Sequence, residues 1–370
     1  MRVLMSRFRL LLPLLFLGYA AYANWAVFTG ADRPRLAAAE GSVLRGEATA
    51  ALGGLYTDAL PHREAAVGWV GAGRYLLVGE GRAGVTVGAD GWLFSDEEMV
   101  VAAPGQIARA ATWIAGVERR LAEDGVDLVL LPLPAKADLY RERQPGRAAG
   151  AAMERQYTRF LASLAEAGVP AVDIRPAMVA AAEEAPVFLT RDTHWTPGGA
   201  AAAAHAVAAS GLVPAGDTEF VARAARPEEF IGDLVSFVTT ERVAPRIGLG
   251  PERVRPYVAE KADAASGGIF AADAGTPDAL LVGTSYSANP DWSFVAALKL
   301  ALGRDMLNLA EEGQGPVRPM QALLDEPGMP DDGTRIILWE FPVRYLADDG
   351  IWPAEARVSA GPSDAETIDG

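Results

Sequence analysis

The sequence predicts an α/β protein with a mainly parallel sheet flanked by helices. Two observations support this prediction: short, continuously apolar runs recur along the chain, and alanine-rich helical segments alternate with them. An apolar run without polar alternation is typical of a strand buried on both faces, and the strand–helix rhythm favours a doubly wound sheet. The predicted strands are 126–133, 169–174, 280–283, 306–309 and 335–339.

Helices are predicted from apolar residues at helical spacing and from signals at their ends. Thr196-Pro197 is a strong start signal, because threonine is a good N-cap and proline fits the first helical position. The predicted helices cover 104–124, 151–168, 196–210 and 290–302, with two more inside 55–77 broken at Pro61. A hairpin is predicted at 85–94, and 211–275 is interpreted as an insertion of loops and a hairpin that walls a groove.

The composition excludes several functions. A formal net charge of −15 argues against nucleic-acid binding, which needs basic groups to neutralise phosphates. It also means that an anionic substrate must be met by a local basic groove. With no cysteine and only three histidines, the chain has no disulfide, no thiolate nucleophile and no multi-histidine metal site. We therefore expect no bound metal.

Residues 1–30 are predicted to be an export signal. Arg2, Arg7 and Arg9 precede 10–28, a stretch without side chains charged at pH 7. A stretch of about 19 uncharged residues can cross a bilayer core, with its basic end in the cytoplasm. We expect a signal-anchor. The alternative is a signal peptide cleaved after Ala21-Tyr22-Ala23. Residues 31–346 are then one catalytic domain, and the acidic tail 347–370 is predicted to be disordered.

His194 is the predicted base, and Asp192 is the carboxylate that orients it. Because they are two residues apart, an extended backbone would point both side chains to the same side. A carboxylate bonded to one imidazole nitrogen fixes the tautomer and leaves the other nitrogen free to take a hydroxyl proton. The alternative is that Asp192 caps the local backbone and that His194 is a packed core histidine.

Ser285 is the predicted nucleophile. It follows a strand and Gly283, and a helix starts soon afterwards, which is the layout that exposes a serine hydroxyl beside free backbone N–H groups. The alternative is that Ser285 caps this helix, although Asn289-Pro290 already supplies a cap. Parallel strands carry their ligands at their carboxyl ends. Polar residues near these ends are further candidates for substrate binding or oxyanion stabilisation: Tyr286, Lys136, Arg344, Glu340 and Trp195.

Five spaced motifs together resemble one known family. They are VGADGWLFSDEE, DTHWTPGGA, GTSYS, EEGQGPVRPM and LWEFPVRYL. With the strand that carries Ser285 placed late in the chain, they resemble a circularly permuted SGNH hydrolase of the alginate O-acetyltransferase family, over about 46–346 and without a carbohydrate-binding module. Two departures stand out. Thr284 occupies a position where SGNH hydrolases usually have aspartate, and the glycine and asparagine oxyanion donors of that superfamily have no match.

The resemblance implies an O-acetyltransferase that modifies an exopolysaccharide through an acetyl-serine. It implies a periplasmic location, anchored to the inner membrane, and a partner membrane acyltransferase that supplies acetyl groups. No cofactor is expected, because the chain lacks a glycine-rich phosphate loop suited to acetyl-CoA. Lys136, Arg141, Arg143 and Arg344 are candidates to line a groove for a uronate polymer. Two alternatives stay open: an acetylesterase with the same three residues, and a non-catalytic polysaccharide-binding scaffold.

Overall fold

The computed structural model describes residues 2–30, 45–262 and 277–353. The chain begins with helices α1 (Arg2–Thr29), α2 (Glu47–Asp58) and α3 (Arg63–Val78). Within the described ranges, no helix combines the length and the apolar composition that a membrane crossing requires.

The other elements follow in chain order. Next come β1 (Val85–Val87), β2 (Leu93–Ser95), α4 (Pro104–Glu123), β3 (Asp127–Leu133), α5 (Lys136–Leu139), α6 (Ala148–Glu166), α7 (Arg175–Glu184) and α8 (Pro197–Ser210). The middle of the chain forms β4 (Phe220–Ala224), β5 (Glu228–Phe230), β6 (Glu252–Val254) and β7 (Tyr257–Lys261). The last part forms β8 (Ala279–Val282), α9 (Ser285–Ala288), α10 (Phe294–Leu302), β9 (Leu307–Asn308), α11 (Val317–Asp325) and β10 (Ile336–Pro342).

The central sheet has the strand order β3-β10-β8-β9. Each neighbouring pair is parallel, and Leu338 in the middle of β10 pairs with Val129 on one side and Leu281 on the other. The carboxyl ends of β3, β8 and β10 therefore meet at one edge. The predicted α/β class and parallel sheet are confirmed.

The predicted strand 169–174 is wrong. This segment makes only an isolated parallel bridge between Ala171 and Leu130. Pro170 has no N–H to give to a ladder, and the Ile174 N–H is bonded to the hydroxyl of Tyr157 at 3.1 Å. The chain consequently leaves the sheet edge after a single bridge.

The sheet is buried on both faces, as its apolar strands require. Alternate strand residues face two separate core clusters. One cluster is covered mainly by α8 and α10, where alanines let the helices approach closely. The other is covered by α4, α6 and α11, with Phe160, Trp113 and Met320 among its members. The core thus fixes the three strand ends that carry the site.

The predicted helix 290–302 is interrupted. A short 3-10 turn, Pro290–Trp292, is followed by α10, and Ser293 between them has a φ of 58°. The Ser293 hydroxyl accepts a hydrogen bond from the Tyr257 N–H at 2.8 Å, which anchors the break to β7. Asn289 caps the turn, as predicted, by accepting from the Asp291 N–H at 2.9 Å.

Two further predictions concern the insertion and the tail. Within 211–275, β4 pairs with β7 and β5 with β6, both antiparallel; residues 263–275 lie outside the described part.

In the tail, Trp352 is buried and packs against Trp113 and Phe341. The prediction of disorder is therefore wrong for 347–353, and 354–370 lie outside the described residues.

Candidate active site

Ser285, His194 and Asp192 form a continuous hydrogen-bonded chain. The Nε2 of His194 lies 2.7 Å from the Oγ of Ser285, and its Nδ1 lies 2.6 Å from the Oδ1 of Asp192. The His194 side chain keeps 15% of its surface exposed, whereas Asp192 keeps 5%. The imidazole is therefore accessible to a reactant while its carboxylate partner is shielded. The structure brings Ser285, which is 91 residues away in sequence, into contact with the His194–Asp192 pair.

The backbone at His194 differs from the extended geometry expected from the sequence. Residues 191–194 form a bend, in which the His194 N–H donates to Asp192 Oδ1 at 2.9 Å. The His194 carbonyl accepts from the Leu189 N–H at 3.0 Å. The two side chains face each other because of this local bond, not because of strand pleating. Thr196 then caps α8 by accepting from the Gly199 N–H at 3.1 Å, as predicted.

Asp233 holds the Asp192 carboxylate from the opposite side. The Asp233 N–H donates to Asp192 Oδ2 at 2.9 Å, while the Asp233 carboxylate accepts from the N–H of Thr193 at 2.8 Å and from its hydroxyl. Burial acts to raise the pKa of Asp192, but its hydrogen bond to His194 and the charge of His194 hold it below the ordinary value. Burial and the charge of Asp192 raise the pKa of Asp233. Sequence reasoning missed Asp233, because no local motif marks it within the insertion.

Glu340 lies beneath the turn that presents Ser285. Its carboxylate accepts hydrogen bonds from the Thr284 N–H at 3.0 Å, the Thr284 hydroxyl at 2.9 Å and the Ser287 hydroxyl at 2.7 Å. A Cβ at Gly283 would lie only 2.5 Å from Glu340 Oε2, so the turn needs glycine there. Burial raises the pKa of Glu340. This fully buried residue contacts the turn and cannot reach a substrate.

Tyr286 joins the serine turn to the histidine segment. Its hydroxyl donates to the Thr193 carbonyl at 2.5 Å and accepts from Arg344 Nη1 at 2.9 Å. Its own carbonyl accepts from the Trp195 indole at 3.1 Å. All three side chains are buried. Tyr286, Arg344 and Trp195, predicted as substrate or oxyanion contacts, therefore brace the residues on either side of His194.

Trp292 stacks on the imidazole of His194. The two ring centroids are 5.1 Å apart at an interplanar angle of 20°, and Phe230 packs edge-on against the other side of the indole. The buried indole N–H has no hydrogen-bond partner within the described ranges. A flat aromatic face against the base restricts the rotation of the imidazole ring. The contact of Trp292 with His194 was not predicted, because the sequence analysis placed this residue only within a predicted helix.

Lys136 does not line a groove. It is buried, and its ammonium donates to the carbonyls of Leu93 at 2.6 Å, Thr190 at 3.0 Å and Asp192 at 3.0 Å. Burial lowers the pKa of Lys136 to about 8. Its three N–H groups are used in holding the loop before His194. The prediction of a substrate contact is therefore wrong for physical reasons.

The two neighbouring arginines are engaged in ion pairs at the surface. Arg141 lies 2.6 Å from Glu154, and Arg143 pairs with Asp90. Arg143 also lies over the ring of Trp92, at 6.0 Å from its centroid. The Arg143–Asp90 pair is exposed, so it is worth little to stability, whereas Arg141 is also held by the fully buried carboxylate of Asp138.

Asp192, His194 and Asp233 offer ligand atoms within 4.8 Å of one another, the spacing of a metal site. In this geometry, however, His194 Nδ1 and both Asp192 oxygens already make hydrogen bonds. The atoms are arranged for proton transfer between Ser285 and His194, with Asp192 orienting the imidazole.

Fold and site together define a class. A serine lies on a turn after a parallel strand and is hydrogen-bonded to a histidine that a carboxylate orients. This arrangement is that of an SGNH hydrolase-like protein with a Ser-His-Asp triad. A family model described as "SGNH hydrolase-like domain, acetyltransferase AlgX" matches residues 85–343. The chain belongs to this family.

Its relatives carry consistent names. The chain is 37% identical to the probable alginate O-acetylase AlgJ of Pseudomonas aeruginosa, over 88% of each chain. It is 35% identical to the probable alginate O-acetylase AlgJ of Pseudomonas syringae pv. tomato, over 87% of this chain and 86% of the other. The solved O-acetyltransferase domain of Pseudomonas putida AlgJ superposes with a TM-score of 0.62 at 34% identity, over 71% of this chain and 92% of that one.

Proposed function

We propose that this chain is an O-acetyltransferase that acetylates an alginate-like exopolysaccharide through an acetyl-serine. The observation that carries the proposal is the 2.7 Å contact between His194 Nε2 and Ser285 Oγ, backed by the 2.6 Å contact to Asp192. The names of the AlgJ relatives supply the substrate class. The roles are nucleophile for Ser285, general base and acid for His194, and orienting carboxylate for Asp192.

The first half-reaction forms the acetyl-enzyme. His194 Nε2 takes the Ser285 hydroxyl proton as Oγ attacks the carbonyl carbon of an acetyl donor. The tetrahedral intermediate collapses, and the donor's leaving group departs with the proton that His194 returns. Asp192, whose pKa is held low by its bonds to His194, stays ionised throughout and stabilises the imidazolium.

The second half-reaction uses a sugar hydroxyl in place of the donor. The hydroxyl loses its proton to His194 and attacks the acetyl carbon, and Ser285 Oγ leaves with the same proton. The product is an acetylated sugar and free enzyme. No redox partner is needed. If water takes the place of the sugar, the same residues act as an esterase, so the acceptor decides between the two functions.

The oxyanion needs N–H donors at the serine turn. Within the described ranges, the Ser285 N–H has no hydrogen-bond acceptor, and it lies at the first residue of α9, where N–H groups have no partner inside the helix. We assign this N–H as one donor. Glu340 holds the turn that aims it, through Thr284.

The acetyl source and the location belong to this proposal as well. We propose that residues 1–30 export the chain, as a signal-anchor or a cleaved signal, and that a membrane acyltransferase delivers acetyl groups outside the cytoplasm. The support is the basic flank before an uncharged stretch. Proteolysis of intact spheroplasts tests the location: an exported chain is degraded from outside, and a protected chain contradicts export.

Acceptor competition tests the function. The enzyme is acetylated with an activated acetyl ester, the ester is removed, and loss of acetyl is followed by mass with and without uronate oligosaccharide. We expect the oligosaccharide to accelerate the loss and to appear acetylated. Loss to water that oligosaccharide does not change would establish the esterase. Absence of any adduct, with oligosaccharide still bound, would establish the scaffold.

A further inference from the structure

Helix α3 presents apolar side chains to solvent. One face of the helix carries Ala66 and the residues 3, 4 and 11 positions after it, which are Trp69, Val70 and Leu77. We call this surface, together with Leu76, the α3 face. Trp69 is 59% exposed, and Leu77, at 87%, is the most exposed large apolar side chain among the described residues. An apolar patch of this kind marks an interaction site.

The opposite face of α3 attaches it to the catalytic domain. A Cβ at Gly71 would lie 2.0 Å from the carbonyl of Val238, so the backbones touch there. The Thr239 hydroxyl donates to the Gly68 carbonyl at 2.8 Å. Small residues and Tyr75 supply the packing, while Trp69, Val70 and Leu77 stay exposed. The α3 face is therefore free to contact a surface outside this fold.

We propose that the α3 face lies in the surface of a lipid bilayer, which rests on the proposed export of the chain to a membrane. An interfacial helix needs one apolar face and an aromatic anchor, and it does not need the length of a membrane crossing. The 16-residue α3 with Trp69 on that face meets this description.

A neighbouring helix also exposes apolar side chains. The Tyr56 hydroxyl of α2 donates to Asn24 of α1 at 3.1 Å, and Tyr19 of α1 contacts His62 just before α3. The described part of α1 adds further exposed apolar side chains: Leu14, Leu15, Phe16, Leu17, Trp25 and Phe28. Apolar exposure in this region is therefore not confined to α3.

The charges of this region suit a lipid headgroup layer. In 58–82, Arg63, Arg74 and Arg82 balance Asp58, Glu64 and Glu80. The stretch is neutral within a chain of net charge −15. An anionic bilayer repels most of this protein's acidic surface but not this part, so electrostatics orient the α3 face toward the membrane.

A short stretch of chain connects the backbone that α3 contacts to the catalytic residues. The backbone at Val238 that α3 touches directly follows the 3-10 turn Asp233–Phe237. Asp233, at the start of that turn, holds the carboxylate of Asp192. A bilayer beneath α3 therefore fixes the height of the Ser285 site above the membrane, which is where an acetyl group delivered through the membrane emerges.

Site-directed labelling tests the lipid contact, and the chain is suited to it because it contains no cysteine. The full-length variants L77C and R159C carry a nitroxide; Arg159 is the control, exposed on α6. Each is reconstituted in vesicles of phosphatidylethanolamine and phosphatidylglycerol. Collisions with oxygen, which concentrates in lipid, are compared with collisions with a water-soluble nickel chelate.

We expect the oxygen-to-nickel collision ratio to be several-fold higher at position 77 than at position 159. Equal ratios would overturn the lipid contact. Protection of position 77 from both reagents would also overturn it, because a second copy or another protein would then cover the α3 face. Acetyl-enzyme mass is measured on the same vesicles, so that loss of the adduct with lipid contact intact identifies a failure of the proposed function alone.

Discussion

The carboxylate of Glu340 accepts a hydrogen bond from the hydroxyl of Ser287 at 2.7 Å, from directly beneath the catalytic turn. Its other bonds go to the N–H and hydroxyl of Thr284, the residue before Ser285. A carboxylate from β10 thus supports the serine turn. The position of the serine depends on this buried carboxyl group.

Replacing Glu340 by glutamine should alter how stability depends on pH. A carboxyl whose pKa is raised in the folded state stabilises the fold below its unfolded pKa, and this contribution is lost as pH rises through the folded pKa. Burial raises the pKa of Glu340 above 4.5. We therefore expect the stability advantage of wild type over E340Q to be larger at about pH 4 than at about pH 8. Urea unfolding at both values measures it, and an advantage that grows with pH would contradict the account.

The Y286F variant should lose catalysis more than binding. It removes the hydroxyl that bonds Thr193 and Arg344, at a cost of about 1–3 kcal/mol in unfolding free energy. Because this hydroxyl ties the serine turn to the histidine segment, we expect kcat to fall about tenfold with KM unchanged. The matched control is Y345F, whose ring also packs on Arg344. Equal kcat in the two variants would show that the Tyr286 hydroxyl does not position the catalytic residues.

Asp192 and Asp233 should differ sharply in their importance. D192N replaces the acceptor of the imidazole N–H and favours the wrong tautomer, so we expect kcat to fall about ten-thousandfold. D233N keeps the backbone N–H that donates to Asp192 Oδ2, and we expect a loss of about tenfold or less. Single-turnover acetylation rates measure both. A loss in D233N as large as that in D192N would show that the Asp233 charge itself takes part in the reaction.

Variants of Trp292 separate stacking from hydrogen bonding. The indole N–H has no partner among the described residues, so W292F loses no hydrogen bond and keeps a flat ring against His194. We expect W292F to retain activity within about threefold. W292A should lose about 3–5 kcal/mol of unfolding free energy through the cavity it leaves. A W292F variant as inactive as W292A would assign the indole N–H a direct role.

Much of the fold was predictable because apolar runs and helix end signals are local. Four of the five predicted strands and the cap at Thr196 are confirmed. The segment 169–174 fails, because its apolar pattern does not reveal that Pro170 and the Tyr157 hydroxyl remove it from the ladder. The break at Ser293 depends on a contact with β7, which no local pattern shows.

The site was predictable where a motif carries it. Ser285, His194 and Asp192 stand in short motifs at strand and helix ends, and the structure places them in contact. The prediction that Lys136 contacts substrate was wrong. Strand order indicates that a cation lies near the site, but it does not show that the ammonium is buried and bonded to three backbone carbonyls. Asp233 was missed because its role comes from the packing of the insertion.

The most direct test of the central claim is the intact mass of the protein after exposure to an activated acetyl ester. The account predicts that wild type gains one acetyl group and that peptide mapping places it on Ser285. Under the same conditions, S285A should gain no acetyl group. An equal gain in S285A, or an adduct on another residue in wild type, would contradict the assignment of Ser285 as the nucleophile.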